Sequence, residues 1–211
     1  MIRTLGLAVA LSAAAPAGTQ AMPDATAIRV ELNRLRAEPA AYVASLRAHR
    51  GTFDSARQFL YVDPTDATVN VTREGIAAVD EAIADLAARK PLPLLASDPV
   101  LAQAAHDFVA EQGPIGAIGH RTASGLGPGD RARRRGGDIY VAETISYGPA
   151  TAANVIRQLI VDDNVPGRGH RRILLSPDYR FVGIACGPHA RFRTMCVLDL
   201  SAWPAGKPQA R

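Results

Sequence analysis

The chain has 211 residues, 47% of them hydrophobic, with a formal net charge of +4 and two cysteines. That supplies enough apolar side chain for one well-cored domain and too little chain for two large ones. The charge is too mild to mark a nucleic-acid binder, and neither cysteine has the Cys-x-x-Cys neighbour that a thiolate metal site needs.

Met1 to Ala21 reads as a secretory signal, with Arg3 as the positive region, an apolar run from Leu5 to Ala15 and a small-residue end at Thr19-Gln20-Ala21. The apolar run is well short of the roughly 20 residues that span a bilayer, and no other segment comes close. The mature chain is therefore expected to be secreted or periplasmic, with no stable membrane span. Cleavage would remove only Arg3 among the charges, taking +4 to +3. One domain is expected over 22–202, followed by a loose tail over 203–211.

Ala25 to Arg36 has Ile28, Leu32 and Leu35 at helical spacing, and Pro39 opens a second helical set with Tyr42, Val43 and Leu46. Thr52 to Val71 reads as loop. Thr72 can cap a helix whose apolar stripe is Ile76, Val79, Ile83 and Leu86. The strongest helix signal follows: Asp98 as N-cap, Pro99 at the first helical position, and Gly113-Pro114 as the stop. His106 falls beside that helix's stripe, and His49 and His189 stand in loop-like contexts, so all three are expected at the surface or rim. Gly125 to Gly137, with the run Arg133-Arg134-Arg135, reads as a solvated loop without the interleaved aromatics that would stack on bases.

From Asp138 to Tyr147 a strand would place Ile139, Val141, Glu143, Ile145 and Tyr147 on one face. A carboxylate in an apolar row needs a cation, a metal or a histidine partner, because an unpaired buried charge costs several kcal/mol. Asp163 raises the same question, since it continues the stripe of Leu159 and Ile160 into a last turn where the helix dipole disfavours negative charge. Asp162 beside it is the other candidate. The structural alternative for these acids is an ion pair with Arg168, Arg171 or Arg172. His120 and His170, each inside a Gly-His-Arg triplet, bracket this stretch and complete a candidate set of two imidazoles and two acids.

Two near-continuous apolar runs, Tyr179 to Gly187 and Arg193 to Ser201, read as strands covered on both faces. Cys186 and Cys196 flank the turn between them, and pairing about Arg191 would set them opposite each other. A disulfide closing a small loop is one reading and two buried free thiols the other. Helices come first and strands mostly last, which indicates an α+β fold.

In order, Gly119-His120, Ala142-Glu143-Thr144-Ile145-Ser146, Gln158 to Asp163 and Gly169-His170-Arg171-Arg172-Ile173-Leu174 resemble the CAP superfamily, in its bacterial SCP-like extracellular branch. The resemblance spans most of Ala25 to Ser201 and fails to cover the region Thr52 to Thr72. It implies an α-β-α sandwich with a central antiparallel sheet flanked by helices, and a cleft holding two histidines and two acids, here His120, His170, Glu143 and Asp163. Two departures stand out: Ala142-Glu143-Thr144 where the family often has Gly-Glu-Asn, and Asp163 where it often has glutamate.

Two neutral imidazoles with open positions suit a divalent metal, Zn²⁺ above all, with Glu143 and Asp163 orienting the rings or serving as general base. The first expectation is a metal-binding cleft that recognises an envelope or extracellular ligand. A hydrolase of peptide-like substrates, using metal-activated water or Ser146, is the alternative, though His-Glu-x-x-His and Gly-x-Ser-x-Gly are both missing. A lipid- or sterol-binding module is the third reading and needs an apolar groove.

Overall fold

The computed structural model describes residues 22–65 and 67–208, so the expected signal segment lies outside the described residues. Helix α1 (Ala25–Ala37) starts where the Asp24 carboxylate accepts the Ala27 N–H at 2.7 Å, and it buries Ile28, Leu32 and Leu35. Arg36 on the same helix is fully buried, and its guanidinium donates to the carbonyls of Pro93, Leu174, Ser176 and Tyr179. Pro39 opens α2 (Pro39–Arg50), as expected, but the stripe of Tyr42 and Leu46 continues one turn further to bury His49.

The stretch expected as loop contains a small antiparallel hairpin, β1 (Leu60–Val62) with β2 (Val69–Val71). Helix α3 (Ile76–Ala87) begins after Gly75 rather than Thr72. Strand β3 (Ala96–Ser97) leads to α4 (Pro99–Ile115), where Asp98 caps the N–H groups of Val100 and Leu101 at 2.9 Å each. This helix passes through the expected Gly113-Pro114 stop and ends at left-handed Gly116. Gly113 has a different task, since a Cβ there would sit 2.3 Å from the Pro188 carbonyl oxygen. Residues 128–134, expected as loop, form α5 (Pro128–Arg134), with Pro128 at its start and Asp130 accepting the Gly127 N–H.

The main sheet runs in the order β3, β5 (Phe181–His189), β6 (Arg193–Ser201), β4 (Ala142–Tyr147). Its three long strands are antiparallel, and only the two-residue β3 joins in parallel. The register is centred on Arg191, pairing His189 with Arg193 and Cys186 with Cys196, and these cysteines form a disulfide across Cα atoms 4.1 Å apart.

One sheet face packs on α4: Ile145, Ala185, Met195 and Val197 meet Ala105, Phe108 and Val109. Contact is close enough that a Cβ on Gly183 would fall 2.0 Å from the Ala102 nitrogen. The other face carries Val182, Cys196, Leu198 and Leu200 into a larger core with α1, α2, α3 and α6 (Ala152–Val161). Helices therefore flank both faces, as the α+β sandwich reading requires. Helix α7 (Gly169–Leu174) follows α6 after a left-handed break at Asp162.

The tail is tied down at its start, contrary to the expectation of a loose end from residue 203. The Ala205 N–H donates to Asp98 Oδ2 at 2.7 Å, and the Trp203 ring meets Tyr140 edge-on.

Candidate functional site

Strand β4 lies at the sheet edge and carries Glu143, the partner of His120, while His170 is bonded to Asp162 just past the end of α6. Glu143 keeps its place on the α4 face, with its side chain 1% exposed. Its Oε1 lies 2.9 Å from His120 Nδ1, and its Oε2 takes the Nη2 of Arg131 from α5. The structural alternative for this acid thus named the wrong arginines: Arg168 and Arg171 pair instead with Glu74 and Glu81. Arg131 is itself buried, stacks 3.8 Å over the Phe108 ring, and donates to the His120 carbonyl. The backbone of the His120 loop is held a second time where the Gly119 N–H donates to the Tyr147 hydroxyl. A side chain in a glycine-rich loop is in this way fixed from behind by an ordered scaffold.

The acid beside His170 is Asp162, and the expectation for Asp163 is corrected. Helix α6 ends at Val161, and Asp162 turns left-handed with φ 56°, so the helical count that placed Asp163 on the inner stripe fails one residue before it. Asp162 Oδ1 lies 2.6 Å from His170 Nδ1, and its Oδ2 accepts the His170 and Arg171 N–H groups. Asp163 accepts the N–H groups of Arg73 and Glu74 at 2.8 Å each, anchoring the approach to α3. Its charge is compensated by backbone, and it bonds to neither histidine.

The two rings face one another with centroids 6.5 Å apart. A carboxylate accepts only from N–H, so each Nδ1 carries a proton, and in the neutral form of either ring the lone pair is on Nε2. Among the described residues neither Nε2 has a protein partner, and no third His, Cys, Asp or Glu joins the pair to form a metal-holding cluster.

Beside His170 a cleft of about 390 Å³ runs along α6 to the hairpin, bounded by Asp162, Asp163, Gln158, Leu159, Asn154, Arg157, Tyr61 and Asp63. His120 and Glu143 lie outside its lining. Its lining combines apolar side chains such as Phe53, Ile145 and Val161 with polar and charged ones such as Asp63, Asn154 and Arg157. Ser146 is buried and donates its hydroxyl to Gln158 Oε1, and among the described residues no histidine or lysine is bonded to it as a base. The geometry gives that serine no nucleophile's environment.

The remaining histidines divide. His106 is exposed, as expected. His49 and His189 are 6% and 2% exposed, against expectation. His49 meets Phe53 and Tyr61 edge-on in the cleft wall, and burial, reinforced by Arg157, pulls its pKa down to about 4. His189 Nε2 reaches the Ala117 carbonyl and its Nδ1 accepts the Arg191 and Phe192 N–H groups, so it serves the turn.

Two polar residues at or near the site escape the sequence reading, and a third, Asp162, stands in it only as the alternative to Asp163 because the left-handed break hides its direction. Arg131 lies in the stretch that reads as a loop. Asp199, fully buried on β6, is directly opposite Glu143, and the strand parity that marked Glu143 marks it too.

Among the described residues no helix is long and apolar enough to cross a membrane. The chain is similar to a solved extracellular protein containing an SCP domain from Bacillus anthracis str. Ames, at 19% identity and TM-score 0.42, covering 60% of this chain and 38% of that one. It is similar as well to an outer surface protein of Borrelia burgdorferi, at 20% identity and TM-score 0.43, covering 52% of this chain and 77% of that one. This chain thus spans well under half of the Bacillus protein's length. No curated protein matches the sequence. The family model described as the cysteine-rich secretory protein family, CAP, matches residues 32–200, a span that includes both histidines, both of their carboxylates and the disulfide, and the chain belongs to that family.

Proposed function

We propose that this is an extracellular or envelope CAP domain that holds a divalent metal, Zn²⁺ by its donor set, between His120 and His170, and takes an extracellular ligand in the adjoining cleft. The observation that supports it is the matched pair of carboxylate–imidazole contacts. Each ring is locked at Nδ1 by a buried acid, which leaves Nε2 as the donor, and this is how outer carboxylates prepare histidines for metals. Two imidazoles on one tetrahedral zinc bring their centroids to about 5 Å, so the rings, 6.5 Å apart here, would draw together by about 1.5 Å on the metal.

With two protein donors the metal would keep open positions for water or ligand oxygen, and as a Lewis acid it would polarise what binds there. The chain's own residues point to binding rather than turnover. Glu143 has both oxygens engaged by His120 and Arg131, and Asp162 has both engaged by His170 and two backbone N–H groups. Both acids therefore orient rings, and neither is placed as a general base.

The test is elemental analysis of the purified protein after zinc loading, with a competition titration. One zinc per chain is expected, abolished in a His120→Ala, His170→Ala double variant. Zinc content unchanged by that double variant refutes the assignment.

A further inference from the structure

Asp199 sits at the centre of the sheet, 0% exposed, in register with Glu143 on one side and Gly183 on the other. It shares the face that α4 covers, where Ala102 approaches Gly183 closely, and Glu143 and Arg131 beside it are buried as well. Neither of its carboxyl oxygens has a hydrogen bond of ordinary geometry. The charged groups that act on it are Glu143 from β4 and Arg131 from α5, with none from α4 or β5.

Two carboxyl groups and one guanidinium therefore share a closed compartment. Arg131 gives its Nη2 to Glu143, and its Nε, buried over the Phe108 ring, is unpartnered. An ionised Asp199 would leave one uncompensated negative charge with no hydrogen bond in a space water does not enter, the costliest state for a carboxyl group. A neutral Asp199 leaves the compartment balanced. It also turns one oxygen into a donor, and the side chain directly across the strand pair is an acceptor.

We propose that Asp199 is held as a neutral carboxylic acid that offers its proton to Glu143, making it a positioning residue for the Glu143–His120 pair. Burial pushes the Asp199 carboxyl well above the usual carboxylate range, the facing Glu143 pushes it further, and Arg131 opposes both. Glu143 is then gripped by Arg131 and Asp199 together, so that Oε1 stays on His120 Nδ1 and fixes that ring's tautomer. This role stands whether or not a metal binds.

The experiment compares the full metal-free chain with Asp199→Asn and Asp199→Leu. Infrared difference spectra at pH 7 are expected to show the carbonyl stretch of a protonated carboxylic acid in the parent and its loss in Asp199→Asn. Nitrogen-15 NMR of His120 is expected to report the Nδ1–H tautomer in the parent and in Asp199→Asn, whose amide N–H replaces the acid's donor. In Asp199→Leu, which has the bulk and no donor, the two tautomers are expected to mix. Absence of the protonated-acid band, or a His120 tautomer unchanged in a folded Asp199→Leu variant, overturns the proposal. A failed zinc assay would leave both readouts untouched, so the two readings fail separately.

Discussion

Replacing either of two adjacent aspartates by asparagine separates the site from its scaffold. At position 162 the backbone is left-handed, with φ 56°, a conformation asparagine adopts readily, so Asp162→Asn keeps the turn between α6 and α7. The side chain is another matter. Its oxygen must remain on the buried N–H groups of His170 and Arg171, which turns the amide N–H₂ toward His170 Nδ1. Nδ1 then becomes the acceptor, the ring proton moves to Nε2, and the metal-facing lone pair is lost. Loss of such an outer partner lowers metal affinity about 10- to 100-fold, which is about 1.4 to 2.7 kcal/mol. Asp163→Asn removes one of two acceptors from the Arg73 and Glu74 N–H groups, worth about 1 kcal/mol of stability and a melting point lower by about 2 to 4 °C, with zinc affinity unchanged. Zinc competition titration and thermal melts on both variants decide the matter. Equal zinc affinity in Asp162→Asn and the parent, or a loss in Asp163→Asn as large as that in Asp162→Asn, would refute the reasoning.

Two further outcomes test the fold around the site. His49 titrates at about 4 in the folded chain against about 6.5 unfolded, so the unfolded chain binds the extra proton first; its stabilising contribution is complete above pH 6.5 and is lost as pH falls toward 4. Unfolding free energies from urea titrations at pH 7 and 4.5 should differ by about 2 to 3 kcal/mol from this group, and a His49→Phe variant should lose that component; an unchanged pH dependence in the variant would count against it. The Cys186–Cys196 bridge closes a loop with a sequence separation of 10, for which chain entropy gives about 2 to 3 kcal/mol, so a Cys186→Ser, Cys196→Ser variant should unfold at correspondingly lower urea. Identical midpoints for that variant and the oxidised parent would show that the bridge adds nothing.

Where local rules act alone, the sequence was readable. Asp98-Pro99 gave the start of α4, and symmetry about Arg191 gave the register that sets Cys186 against Cys196. Glu143 was legible because one charged side chain in an apolar period-2 row has few explanations. The same rules mislead where the backbone departs from them or their period runs on. The α6 stripe points to Asp163 over Asp162 because helical spacing takes no account of the left-handed turn at 162. The α2 stripe of Tyr42 and Leu46 extends one turn further to His49, and the period-2 alternation of β6 sets Asp199 on the same face as Val197. Arg131 was beyond reach for another reason: its partner is Glu143 on another element, and only packing of α5 against β4 makes that pair.

Arg36 bears on how the domain closes. A guanidinium needs acceptors when it leaves water, and three of those that satisfy it belong to residues 138, 140 and 143 positions further along the chain. The first helix can bury this arginine with its acceptors in place only when residues 174 to 179 are folded against it, so the two ends of the polypeptide are coupled through one side chain.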